Sequence, residues 1–176
     1  MKAVAILVLV GAVMLNGCGG NSATVQAASG AVWQAQLTGG SGAASGLSFI
    51  TTFTINGNGS LSVSNFQFLN QGSCFPVTGE DPSGSISDLQ VISTTGQVTA
   101  NFSFTVPGGG NTLTLTGPLT GTETGIVVGT TNTGTFSSAS VLGTWTLTGA
   151  GTCNVTASDT SFTMTLCTSS TTCTTP

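Results

Sequence analysis

The chain contains no histidine, no tyrosine and a single cation, Lys2, among 176 residues. Charged residues make up 3% of it, against roughly 25% in an ordinary soluble domain. Each absence removes a class of function. Nucleic-acid binding needs cations to displace counterions from phosphate. Ser-His-Asp and Cys-His catalysis need histidine. A Schiff base needs lysine, and a guanidinium clamp on phosphate needs arginine. Carboxylates, thiols and hydroxyls remain, and no cofactor is expected. Low charge does not make the chain a disordered one. Hydrophobic residues reach 39%, with nine Phe and two Trp, whereas disorder couples low hydrophobicity to high net charge.

The one lysine opens an export signal. Residues 3–15 (AVAILVLVGAVML) are apolar. That run is too short to cross a bilayer, which takes about 20 residues. Leu15-Asn16-Gly17-Cys18 follows and resembles a bacterial lipobox, with Leu at −3, a small residue at −1 and cysteine first in the mature chain. The resemblance implies removal of residues 1–17 and acylation of Cys18, palmitate being an expected chain. Gly19 stands at the position after that cysteine. By resemblance to Gram-negative lipoproteins, this favours the outer membrane as the location. Residues 18–30 then read as the lipidated cysteine and a flexible tether. Its twelve small and polar residues after Cys18 would span roughly 19 Å.

From residue 31 to residue 167 the pattern is that of β-strands. Apolar residues alternate with Thr and Ser, and no window sustains helical periodicity. Val98, Ala100, Phe102, Phe104 and Val106 form the cleanest run. Trp33, Ala35 and Leu37 share a face, as do Phe49, Phe53 and Ile55, and later Phe162, Met164 and Leu166. Residues 126–128 read as a short apolar strand, and Cys153 and Val155 as one face of another. Phase slips predict bulges near Ser64 and Asn65 and between Ile86 and Leu89. Nine or ten strands with short links make an antiparallel meander. To avoid long free edges it closes as a barrel or doubles over as a two-sheet sandwich. Residues 168–176 form a C-terminal tail.

Two resemblances bear on this all-β domain. Gly143-Thr144-Trp145 is similar to the G-x-W that opens calycin-type barrels such as lipocalins and avidins, although it lies late in the chain. Near the start, Gly30-Ala31-Val32-Trp33 is one residue too long for it. Val32-Trp33-Gln34, Gly72-Ser73-Cys74, residues 113–117 (LTLTG), Gly143-Thr144-Trp145 and Phe162-Thr163-Met164 together resemble small Gly/Thr-rich lipoproteins of soil bacteria. That resemblance implies export and β-structure and supplies no activity.

Cys74, Cys153, Cys167 and Cys173 remain after Cys18. An even number in an exported chain predicts two disulfides, with three possible connectivities. The similar segments Gly72-Ser73-Cys74 and Gly151-Thr152-Cys153 favour Cys74–Cys153. Cys167–Cys173 would then fasten the tail. Glu80, Asp81 and Asp88 gather three of the five carboxylates. They are a weak Ca²⁺ candidate, since calcium takes six to eight oxygens, but Asp-Pro-Ser-Gly is also ordinary turn chemistry. Asp159-Thr160-Ser161 lacks the Gly of the aspartic-protease motif. Glu123 sits among turn residues. With no cation to hold carboxylates ionised, stability is expected to vary little between neutral pH and about pH 5.

These features predict a membrane-anchored envelope lipoprotein with a structural or binding module that is not an enzyme. Its expected partners are the membrane, through the lipid, and an envelope polymer or protein, not nucleic acid. The competing reading is a small-ligand barrel of calycin type, with Ala35, Ala100 and Gly117 leaving room inside. A glycoside hydrolase with two carboxylates across a cleft is the third.

Overall fold

The computed structural model describes residues 24–26, 31–75, 81–92, 94–124, 133–168 and Cys173. The signal, Cys18, Glu80 and the strand expected over residues 126–128 lie outside the described residues. Nine strands are present: β1 (Thr24–Gln26), β2 (Val32–Thr38), β3 (Ser48–Ile55), β4 (Ser60–Asn70), β5 (Ser83–Ile92), β6 (Gln97–Gly108), β7 (Asn111–Thr124), β8 (Thr133–Thr148) and β9 (Ser161–Leu166). Among the described residues, helix is limited to three single 3-10 turns, Gly42–Ala44, Gly151–Cys153 and Ala157–Asp159. Strands β2 to β8 pair with their neighbours in sequence, and β9 pairs with both β2 and β8. The sheet therefore closes on itself as an eight-stranded antiparallel barrel, which decides between the two architectures left open above.

Alternation becomes inside and outside once the barrel closes. On β6, residues 98, 100, 102, 104 and 106 are buried and their neighbours face outward. Trp33, Phe49, Phe53, Phe102, Phe104, Leu115, Trp145 and Phe162 are all buried, as the pattern predicts. Aromatic rings fill the middle of the barrel: Phe104 stacks on Phe49 at 5.8 Å and on Phe102 at 6.0 Å. Both expected bulges occur. Ser64 is skipped as β4 pairs with β3, and the buried Thr51 hydroxyl donates to the Asn65 carbonyl at 2.8 Å beside it. On β5 the register shifts between Ser87 and Gln90, where Asp88 takes φ 53°. The weakest seam is β4–β5, with two paired positions, Ser60–Ser85 and Leu61–Gly84.

The two ends differ. One is closed by a disulfide, Cys74–Cys153, with Cα atoms 5.6 Å apart. It joins the loop after β4 to the 3-10 turn after β8. Cys153 thus lies in a turn, not in the strand the pattern suggested, and only Val155 keeps a bridge, to Leu147. The chain bends at Gly149 and Ala150, and Gly151 takes φ 60°, outside the strand region. Trp145 is fixed nearby, its indole N–H donating to the Thr38 carbonyl at 2.8 Å. Cys167–Cys173, also 5.6 Å between Cα atoms, follows β9 at the opposite end.

At that opposite end the rim is uneven. The β8–β9 register stops at Ser140–Thr165, so β8 runs on past the end of β9. Strand β3 likewise continues past Thr52, the partner of Val32 at the start of β2. Strand β1 lies in the resulting notch. It pairs in parallel with Thr133–Thr135 of β8, and its Cα atoms come within 8 Å of β3. Three residues of the segment read as a tether are therefore part of the sheet.

Candidate functional site

The notch is lined from three strands. Trp33 stands at its base on β2, stacked on Phe53 of β3 at 5.1 Å and edge-on to Phe136 of β8 at 6.2 Å. Phe136 is paired across to Glu123 on β7, which joins the edge of β8 opposite to the one that β1 pairs with. Cross-strand partners hold their Cβ atoms about 4.5–5.5 Å apart. The nearby inward positions are small: Ala100, Gly121 and Ala139. A Cβ on Gly121 would lie 2.6 Å from the Ser138 carbonyl oxygen and 3.1 Å from the Phe136 ring, so only glycine fits under them.

Two polar atoms at this end have no hydrogen-bond partner. They are Nε1 of Trp33 and Oε2 of Glu123. Trp33 is fully buried and Glu123 is 7% exposed. An unmet buried donor or acceptor costs about 1–3 kcal/mol. Glu123 is the residue the sequence misplaced. Gly-Thr-Glu-Thr-Gly has the composition of a turn, yet β7 carries the segment as strand through Thr124, with Glu123 in the same inward phase as Leu119, while the extra residue Ser137 on β8 brings Phe136 opposite it.

Burial lifts the Glu123 carboxyl above the ordinary glutamate range, because its charged form loses water. A folded pKa above the unfolded one favours the fold when the group is protonated. That contribution is complete below the unfolded value and is lost as pH rises through the folded value. Melting temperature should therefore rise modestly as the wild-type chain is acidified from neutral pH through the carboxyl range. Glu123→Gln should raise it at neutral pH and flatten the profile. A thermal-melt series across that range, with the two proteins parallel throughout, would refute this.

The other carboxylates lie elsewhere. Asp88 is on the outer face and accepts from Asn101 Nδ2 at 2.7 Å. Asp81 borders a surface groove with Val63, Ser64 and Phe66. Asp159 borders another with Gly39, Asn154 and Thr156 at the disulfide-closed end. Among the described residues no three of Asp, Glu, Cys and His group as metal ligands. Thr160, next to Asp159, is buried structurally: its hydroxyl donates to the Trp145 carbonyl at 2.6 Å and accepts from the Trp145 N–H at 3.2 Å. Nor does Gly117 leave room inside. A Cβ there would lie 2.4 Å from the Leu142 carbonyl and 2.7 Å from Gly143 Cα, so the backbone of β8 occupies the space.

The outer wall over β5 to β8 is a lattice of hydroxyls. Ser83, Thr105, Thr114 and Thr146 fall in one cross-strand row, and Ser85, Ser103, Thr116 and Thr144 in the next. Within a row, neighbouring strands stand about 4.7–4.9 Å apart. A shallow groove crosses them over Ser87, Asn101, Ser103, Thr116 and Pro118.

Fold and surface together define the class: an up-and-down eight-stranded barrel with a filled waist, a neutral hydroxyl-bearing wall and one polar, strapped end. Comparison with protein-family models, with curated proteins and with solved structures found no match.

Proposed function

We propose that the chain is a bacterial envelope lipoprotein, acylated at Cys18 and held at the outer membrane, whose barrel acts by contact and not by turnover. The observation that carries this reading is the outer wall. Long rows of Thr and Ser, with no cation after Lys2, offer hydroxyls to neutral polymers or proteins and little to charged ones. The lipobox-like residues 15–18 support the anchoring, and the resemblance to Gly/Thr-rich soil-bacterium lipoproteins agrees with it. The separate placing of Asp81, Asp88, Glu123 and Asp159 gives the two-carboxylate hydrolase no support.

Cys18→Ser is expected to abolish lipid labelling and to move the protein from the membrane fraction to the soluble one. A variant that stays with membranes would disprove the anchoring. Incubation with glycans and peptides should release no product. Turnover lost on an Asp→Asn or Glu→Gln change would establish an enzyme instead. One feature favours the small-ligand alternative, the two unpartnered buried polar atoms Nε1 of Trp33 and Oε2 of Glu123.

A further inference from the structure

We propose that the outer wall carries a binding groove for a neutral polysaccharide, centred on Asp88 and Asn101 and running along one cross-strand row to Pro118 and Leu142. The proposal rests on the contact reading above and names the partner. A groove of about 430 Å³ crosses the wall here, and Ser85, Ser87, Asn101, Ser103, Thr116 and Pro118 line it. The bulge in β5 builds its polar end. Asp88 and Leu89 are the extra stretch between the Ser87–Asn101 and Gln90–Thr99 pairs. Such a bulge re-aims a side chain, and the successive residues Ser87 and Asp88 are both exposed. Asp88 holds φ 53° to do so, a left-handed conformation uncommon outside glycine, asparagine and aspartate. Its Oδ2 accepts from Nδ2 of Asn101 at 2.7 Å and from the Ser87 hydroxyl at 3.3 Å. A carboxylate is thus tied to two residues of the groove lining. Among the described residues, Oδ1 of Asp88, Oδ1 of Asn101 and the hydroxyls of Ser85, Ser103 and Thr116 take no partner. Fixed acceptors amid free hydroxyls suit a polyol, whose O–H groups both donate and accept. The β6 backbone beneath the groove is paired on both sides, to β5 and β7, so recognition falls to side chains. Along the row, Asn101 pairs with Pro118, and the register Thr116–Thr144 and Leu119–Val141 sets Leu142 beside Pro118. Leu142 is 57% exposed, the most exposed large apolar side chain among the described residues. Each step between strands is about 4.7–4.9 Å, so the row passes from carboxylate and amide to apolar surface within a few sugar units. A pyranose has the same division, with hydroxyls round its edge and C–H bonds on its faces. A phosphate or uronate polymer would meet Asp88 with no side-chain cation after Lys2 to offset the repulsion.

The test uses the full exported chain carrying Cys18→Ser. Neutral linear hexasaccharides of glucose, xylose and mannose are the probes, with hexagalacturonate as the anionic control. The readout is the side-chain amide resonance pair of Asn101, assigned by its loss in Asn101→Ser. At least one neutral probe should shift it saturably, and hexagalacturonate should not. Asp88→Gly suits the left-handed backbone and removes the carboxylate. It should still fold, as a thermal melt will show, and should weaken binding about tenfold or more, the worth of a hydrogen bond to a charged group. Leu142→Ser should weaken binding several-fold through lost apolar contact. No shift with any neutral probe, a shift with hexagalacturonate alone, or unchanged affinity in Asp88→Gly would overturn the groove while leaving the membrane-fraction result for Cys18→Ser untouched. Release of shorter sugars from a bound probe would overturn the contact reading and leave the groove in place.

Discussion

Replacing Phe104 by alanine is expected to cost about 3–5 kcal/mol, the range for a large aromatic removed from a packed core. Phe104 is fully buried and is the hub of the aromatic filling. Its ring lies 5.8 Å from Phe49, 6.4 Å from Phe53, 6.4 Å from Phe66 and 6.0 Å from Phe102. Gly84 on the facing strand lets the ring come close, since a Cβ there would sit 3.0 Å from it. The cavity left by alanine spans the waist of the barrel, where closed walls on every side limit collapse. Domains of this kind hold about 5–15 kcal/mol in all, so the variant should be marginal at growth temperature. Denaturant unfolding checks it: the midpoint should fall steeply with little change in slope. A loss under about 1 kcal/mol would mean that the ring cluster does not carry the core.

Removing the Cys74–Cys153 bridge should be the second large effect. The two cysteines are 79 residues apart in sequence. Loop-closure reasoning gives about 2–4 kcal/mol for a cross-link of this kind, or roughly 10 °C in melting temperature for a domain of this size. The bridge also has a local role. It binds the loop after β4 to the turn after β8 across one end of the barrel, where Asn111 Nδ2 donates to the Cys74 carbonyl. The double Cys74→Ala, Cys153→Ala variant should show the full loss in a thermal melt. The double Cys167→Ala, Cys173→Ala variant should show a much smaller one, because its loop spans a separation of 6 residues at the edge of the domain. Equal losses would contradict the assignment of the first bridge as the structural one.

What could be read beforehand was what short-range pattern encodes. Period-two alternation placed Phe102, Phe104 and Trp33 inside, and breaks in phase located the bulges beside Ser64 and Asp88. Pairing of Cys74 with Cys153 followed from two similar glycine-led segments. Partnership between distant strands left no such trace. Thr38 and Ser161 share a hydroxyl contact across 123 residues of sequence, and nothing local announces that β9 inserts between β2 and β8. Alternation assigns faces, while neighbours are chosen by the whole fold. The notch was illegible for the same reason: Trp33 looked like one more core residue, Glu123 like a turn, and β1 like part of a tether.

The position of β1 also has a mechanical consequence. Only residues 19–23 separate Cys18 from Thr24, and six extended steps reach at most about 20 Å. An acyl chain on Cys18 would therefore hold the barrel with the Trp33 end toward the lipid and the Cys74–Cys153 end outward. Because β1 runs parallel to β8, tension on the anchor would draw it along its own axis and load its few rungs together in shear. The strap would slip before the closed wall behind it yielded, and the barrel would stay whole.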